Sequence, residues 1–318
     1  MANGKGKSGG LGAMLWRMVA PPAPTLGCEI ATAGIAMARW NAGETQLSNT
    51  AWRPLPEGVV DATPLRENLL QIDRIRESLA GCLDALGLSG NRGESQSKGL
   101  DAVLVLPDQA ARLFVLDFDK LPHNTAEAID LVRWRLKKSV PFDIDASVIS
   151  FTAHRRAADW QVISVVTPLT VVQQYEALLG AAGLSVSRVT LSSLAAMPLL
   201  PEGDEGSTLL VKLSPPWLTT VIVQGQDICL FRTGTLTQRS AAEPQPAEVL
   251  EAIYPAFAYF QDTFGRSLDR VYLCGLGEAA NGVIERIGEE MHVSAQPLLS
   301  GSDAASSSGG WSRADALN

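Results

Sequence analysis

Cysteine and histidine are scarce: the chain of 318 residues has 4 of the first and 3 of the second. Cys28, Cys82, Cys229 and Cys274 lie far apart and never form a CxxC pair. That argues against a clustered zinc site and a disulfide framework, and fits a reducing compartment. His123, His154 and His292 are scattered without ligand spacing and read as ordinary core or surface histidines. No apolar run approaches the ~20 residues that cross a bilayer. A basic balance is missing as well, the formal charge being -8. General nucleic-acid binding, which needs a basic face to displace counterions, is therefore not expected.

What is present is apolar sequence, 46% of the chain, enough for two domains with separate cores. The segment 1–24 carries an apolar patch from Leu11 to Ala20 among positive charges, and Arg17 interrupts it. A secretory signal needs an unbroken apolar core. Residues 1–20 read instead as a disordered tail or as a basic segment touching an anionic membrane surface. Ser300 to Gly310, within a tail of 296–318, and Ser89 to Gly99 are polar and Gly/Ser-rich, the composition of unstructured connections.

Between these segments the periods are clear. "LGCEIATAGIAMARW" (Leu26 to Trp40) predicts two strands joined by a turn of small residues. Leu65 to Gly87 predicts a helix, with Leu69, Ile72, Ile75, Leu79 and Leu83 at helical spacing. From Ala102 to Gly183 the order is strand, strand, helix, strand, strand, helix, a compact α+β unit. Ser207 to Gly234 repeats the strand-turn-strand opening. A long helix that Pro255 is expected to kink, a strand into the turn Cys274–Gly277 and a final helix follow. Two similar openings predict duplicated α/β halves with a cleft between them.

The helix after Asn124 is unusual. Asn124 with Glu127 has the form of a capping box. Ile129, Val132, Leu136 and Val140 make an apolar stripe. Arg133, Trp134, Arg135 and Lys138 gather near the end, and Pro141 and Phe142 stop the helix. The cations complement the helix dipole, and Trp134 could fill a gap beneath neighbouring strands. A tryptophan among arginines is also the composition of an interface anchor.

"LVRWRLKKSVPFDIDASVISF" resembles the corresponding segment of the type IV pilus assembly protein PilM family. The Leu26–Trp40 opening and "AFAYFQDTFGRSLDRVYLCGLGEAANGVIERI" match that family's opening and carboxy-terminal patterns in the same order. The resemblance, over roughly Leu26 to Met291, implies an actin-like (ribonuclease H-like) duplicated fold of the FtsA/PilM type. The lobes would be 25–100 with 184–206, and 207–295; the inserted subdomain would be 101–183. It implies a scaffold on the cytoplasmic face of the inner membrane. That scaffold would hold the cytoplasmic tail of a bitopic PilN-like partner and link platform to motor proteins, in a type IV pilus or a type II secretion system. Arg133, Trp134, Arg135, Lys138, Pro141 and Phe142 are the expected partner-binding residues. The rivals on the same fold are an active ATPase, a sugar-kinase-like enzyme and a cell-division filament protein. "GWSRADALN" is too short and polar for the membrane helix of the last.

Actin-like ATPases cradle phosphates in two hairpin turns rich in backbone N–H groups and handle magnesium with an aspartate before each. By resemblance the vestigial nucleotide-binding positions are Glu29, Ala31, Thr32 and Gly34 in the first turn, Lys212 and Ser214 in the second, and Gly275 and Gly277 beside the adenine. Glu29 replaces an aspartate and Ala31 a glycine. Lys212 stands at the second aspartate, and Pro215 and Pro216 remove N–H donors from the loop. The expectation is lost hydrolysis, with ATP and Mg2+ bound weakly or not at all.

Overall fold

The computed structural model describes residues 24–40, 47–88, 100–201, 206–236 and 244–299. The polar stretch Ser89 to Gly99 and the expected amino-terminal tail up to residue 23 fall outside the described residues. The expected tail 296–318 begins too early: Gln296 and Pro297 pair with Tyr272 and Leu273 in the last strand and Leu298 is buried, so the second lobe runs past 295, and only residues 300–318 lie outside the described residues.

The first sheet begins with an antiparallel meander of β1 (Leu26–Ile30), β2 (Gly34–Trp40) and β3 (Leu47–Pro54). β4 (Leu100–Leu106) pairs parallel with β1, and β8 (Leu184–Leu191) pairs parallel with β4, giving the order β3-β2-β1-β4-β8. The second sheet repeats this plan. β9 (Ser207–Ser214), β10 (Trp217–Gln224) and β11 (Asp227–Thr235) form the meander. β12 (Arg270–Cys274) and β13 (Ser294–Pro297) complete the order β11-β10-β9-β12-β13. The openings at Leu26 and Leu209 are therefore structural twins, and the molecule is a duplicated α/β protein.

Each sheet buries an apolar face against helices. Helix α1 (Ile72–Ala85) buries Ile75, Leu79, Cys82 and Leu83 in the first core. Its start, seven residues later than periodicity from Leu65 suggests, reflects an extended segment in which Leu69 bridges Val60. Helix α3 (Leu169–Ala181) adds Val171, Tyr175, Leu178 and Leu179 to the same core, and the short α4 (Ser192–Ala196) follows β8. The second sheet is covered by α5 (Pro246–Phe264) and α6 (Ala280–Met291). α5 runs unbroken through Pro255 and closes at Gly265, whose φ of 66° gives the left-handed conformation that glycine adopts without strain.

The inserted unit is narrower than 101–183. Its sheet, in the order β5-β7-β6, comprises β5 (Arg112–Phe118), β6 (Ser147–Arg155) and β7 (Trp160–Pro168). Helix α2 (Thr125–Leu136) packs Val132 and Leu136 on it with Ile144, Ile149, Val162 and Val166. β4 leaves the expected unit because its backbone is the parallel partner of both β1 and β8, and α3 because its apolar face lies in the first core.

The unit also leans on the second lobe. Val115 and Ile163 pack with Leu210, Val221 and Ile228. Gln161 accepts from the Ile228 N–H at 2.9 Å and donates to its carbonyl at 3.3 Å. Arg156 bridges Asp227 and Asp117, each at 2.9 Å, while His154 pairs with the other Asp227 oxygen.

Candidate functional site

The two hairpin turns meet in the cleft between the lobes. The first is a two-residue turn, Thr32–Ala33, closed by the Ala31 N–H on the Gly34 carbonyl at 2.9 Å and the reverse bond at 3.3 Å. Both N–H groups are thus committed to the hairpin. The second turn, Pro215–Pro216, has no N–H to offer. Thr32 closes the space between them: its hydroxyl donates to the Pro215 carbonyl at 3.0 Å across the lobes.

Beneath the turns lies a buried ion pair. Glu29 is the penultimate residue of β1 and Lys212 stands in the central strand β9; they are 4% and 1% exposed, with Lys212 Nζ 3.9 Å from Glu29 Oε1. A charged side chain buried this deeply needs compensation, and each has a second partner. Ser192 donates its hydroxyl to Glu29, and Lys212 donates to Ser214 Oγ at 2.7 Å. Burial pushes the Glu29 carboxyl up to about 6; Lys212 and the Ser192 hydroxyl hold it back, and the nearby Asp108 charge adds to the rise.

Asp108, just after β4, is a third buried charge in this region. It accepts from the Ser193 N–H at 2.9 Å, from the Ser193 hydroxyl and from Thr219 Oγ1 at 2.8 Å. Because Thr219 belongs to β10, this is another bond between the lobes. Asp108, Ser192, Ser193 and Thr219 are not evident as site residues in the sequence. The one local cue is the serine pair Ser192–Ser193 that follows β8.

The other predicted nucleotide residues sit differently. A Cβ on Gly34 would stand 2.4 Å from the Trp52 ring and 2.5 Å from the Arg53 carbonyl, so this glycine makes room for its neighbouring strand. Gly275 and Gly277 take positive φ of 78° and 52° after β12, in a turn that the chain direction requires. Measured against a magnesium-bound triphosphate, the residues do not fit. The cation-handling carboxylate is paired with Lys212, the second turn has no N–H at Pro215 or Pro216, the Ala31 and Gly34 N–H groups are committed to the first hairpin, and a hydrogen bond spans the gap between the turns.

On α2, Asn124 caps the helix by accepting from the Ala126 and Glu127 N–H groups at 2.8 and 3.3 Å. The core face is Ala128, Val132 and Leu136. Trp134 is 73% exposed, so it fills no gap beneath the strands. Arg135, Lys138 and Pro141 are exposed around the same end of the helix. Two members of the predicted set have structural partners: Arg133 donates to the Ile144 carbonyl, and Phe142 is half-buried against the core of the inserted unit.

A bilobed, duplicated sheet protein with paired hairpins at its cleft has the actin-like fold. Comparison with solved structures agrees. A PilM–PilN type IV pilus biogenesis complex superposes with a TM-score of 0.66 at 19% identity, over 87% of this chain and 88% of that one. A Bacteroides thetaiotaomicron protein of actin-like ATPase fold and unknown function gives 0.51 at 9% identity, over 86% and 90%. The cytoplasmic domain of EpsL, an inner membrane component of the Vibrio cholerae type II secretion system, gives 0.49 at 13%, over 88% and 99%. No protein-family model and no curated protein sequence matches the chain. Among the described residues no helix is long and apolar enough to cross a membrane.

Proposed function

We propose that this protein is a non-hydrolysing scaffold of a type IV pilus or related secretion platform. It works at the cytoplasmic face of the inner membrane and binds the short cytoplasmic tail of a bitopic PilN-like protein. The observation that carries this reading is the filled cleft: Glu29–Lys212, Thr32–Pro215 and Asp108–Thr219 join the lobes with the protein's own groups. Catalysis by this fold would need a bound triphosphate and metal where those groups stand. The structural likeness to a PilM–PilN complex supports the choice of partner class.

The face offered to the partner is Trp134 with Arg135, Lys138 and Pro141, while Arg133 and Phe142 hold the segment after the helix in place. An exposed tryptophan bordered by cations on a packed helix is a preformed anchor. The test is fluorescence anisotropy with a labelled peptide copying the short cytoplasmic tail of a bitopic PilN-like protein. Trp134→Ala should weaken binding at least tenfold while leaving the circular dichroism spectrum and urea midpoint unchanged. ATP with magnesium should show no turnover. Turnover, or undiminished peptide binding by the variant, refutes the proposal.

A further inference from the structure

A cavity of about 620 Å³ opens where the first lobe, the inserted unit and the second lobe meet. In a chain of formal charge -8, three arginines from three separate segments line it: Arg66 before α1, Arg112 at the start of β5 and Arg232 on β11. Two carboxylates share the wall, and both are engaged. Asp61 accepts from Arg66 Nε at 3.0 Å, and Asp108 takes the Ser193 and Thr219 bonds described above. Among the described residues Arg112 donates only to the Ala111 carbonyl, at 3.3 Å, and no carboxylate pairs with Arg112 or Arg232. Leu113, Trp217 and Phe231 supply apolar wall between these cations.

Two guanidinium forks without carboxylates, set in a partly apolar cavity of small-molecule size, are a recognition set for an oxyanion on a carbon body. We propose that this cavity binds a small organic anion carrying a phosphate or carboxylate group. Arg112 and Arg232 hold the oxyanion, and Leu113, Trp217 and Phe231 receive the remainder. The ligand would bridge all three parts of the molecule. Unlike a nucleotide between the hairpins, it would need no metal. The proposal is independent of the pilus reading, because its readout involves neither the partner nor Trp134.

Isothermal titration of the full chain in EDTA with AMP, and separately with citrate, tests it. At least one probe should bind at sub-millimolar concentration, AMP identifying a phosphate ester and citrate a carboxylate as the ligand class. Inorganic phosphate should compete. Arg232→Ala and Arg112→Ala should each weaken binding about tenfold, the equivalent of one charge-assisted bond. Arg232→Lys should fall between, and Arg286→Ala, at an arginine on α6 outside the cavity, should have no effect. Arg232 is exposed, so its variants report even if Arg112→Ala does not fold. The proposal is overturned if neither probe binds at millimolar concentration. It is equally overturned if binding requires magnesium or is untouched by the Arg232 variants.

Discussion

Lys212→Met is the sharpest test of the filled cleft. The substitution keeps the length of the side chain and removes its charge, leaving Glu29 buried with only the Ser192 hydroxyl as partner. Breaking a buried pair from one side costs about 3–5 kcal/mol; the 3.9 Å separation puts this case at the lower end, about 3 kcal/mol. The pH dependence distinguishes this cause from lost packing. The Glu29 carboxyl is raised from 4.5 to about 6 in the folded chain. Between those values the folded state holds more protons than the unfolded one, so stability from this group is greatest below the lower value. It falls by about 2 kcal/mol as pH rises through the window. Removing Lys212 removes a cause that holds the carboxyl down, so the fall becomes deeper and extends to higher pH. Urea unfolding followed by tryptophan fluorescence should give a small gap between wild type and variant at about pH 5 and the full gap at about pH 8. Adding Glu29→Gln to Lys212→Met should erase this pH dependence and recover most of the loss. A gap that is constant across pH would show that the charge of Lys212 is not what matters.

Further outcomes follow from other parts of the chain. Gly34→Ala should cost about 1–3 kcal/mol in urea unfolding, because the added methyl meets the Trp52 ring and the Arg53 carbonyl; a neutral result would mean the β2–β3 contact is slack. Leu136→Ala, two positions from Trp134 but fully buried, should cost about 2–5 kcal/mol, where Trp134→Ala leaves the urea midpoint unchanged. Asp227→Asn leaves Arg156 with Asp117 and should lower stability by about 1–2 kcal/mol, read as a lower urea midpoint.

The duplicated plan was legible because each opening strand is short, apolar and followed by a turn of small residues or prolines, a local pattern. Helix α2 was legible through its cap and stripe. Strands β8 and β13 were not: "LSVSRVTL" has an ordinary mixed pattern, and "SAQP" becomes a strand only by pairing with β12. The inner boundary of the inserted unit was missed for a related reason. β4 is fixed by partners on either side in the sheet, β1 and β8, which no window along the chain contains. At the site, Glu29 and Lys212 stood out as departures from a phosphate-binding pattern, but nothing local says that they face each other. Asp108 and Thr219, 111 residues apart, gave no cue at all.

The repeat itself explains why the cleft can be filled so economically. In a duplicated fold the ends of β1 and β9 approach the interlobe space in equivalent ways, so equivalent positions on the two strands become neighbours there. Carboxylates at both positions need a cation between them, whereas opposite charges satisfy each other. Glu29 and Lys212 are such a pair. The same relation brings Thr32, in the first turn, to the carbonyl of Pro215 in the second. The inserted unit then adds an attachment outside the cleft, through Gln161 with Ile228 and through Arg156 and His154 with Asp227. The lobes are thus joined inside by charge and hydroxyl bonds and outside by a packed sheet.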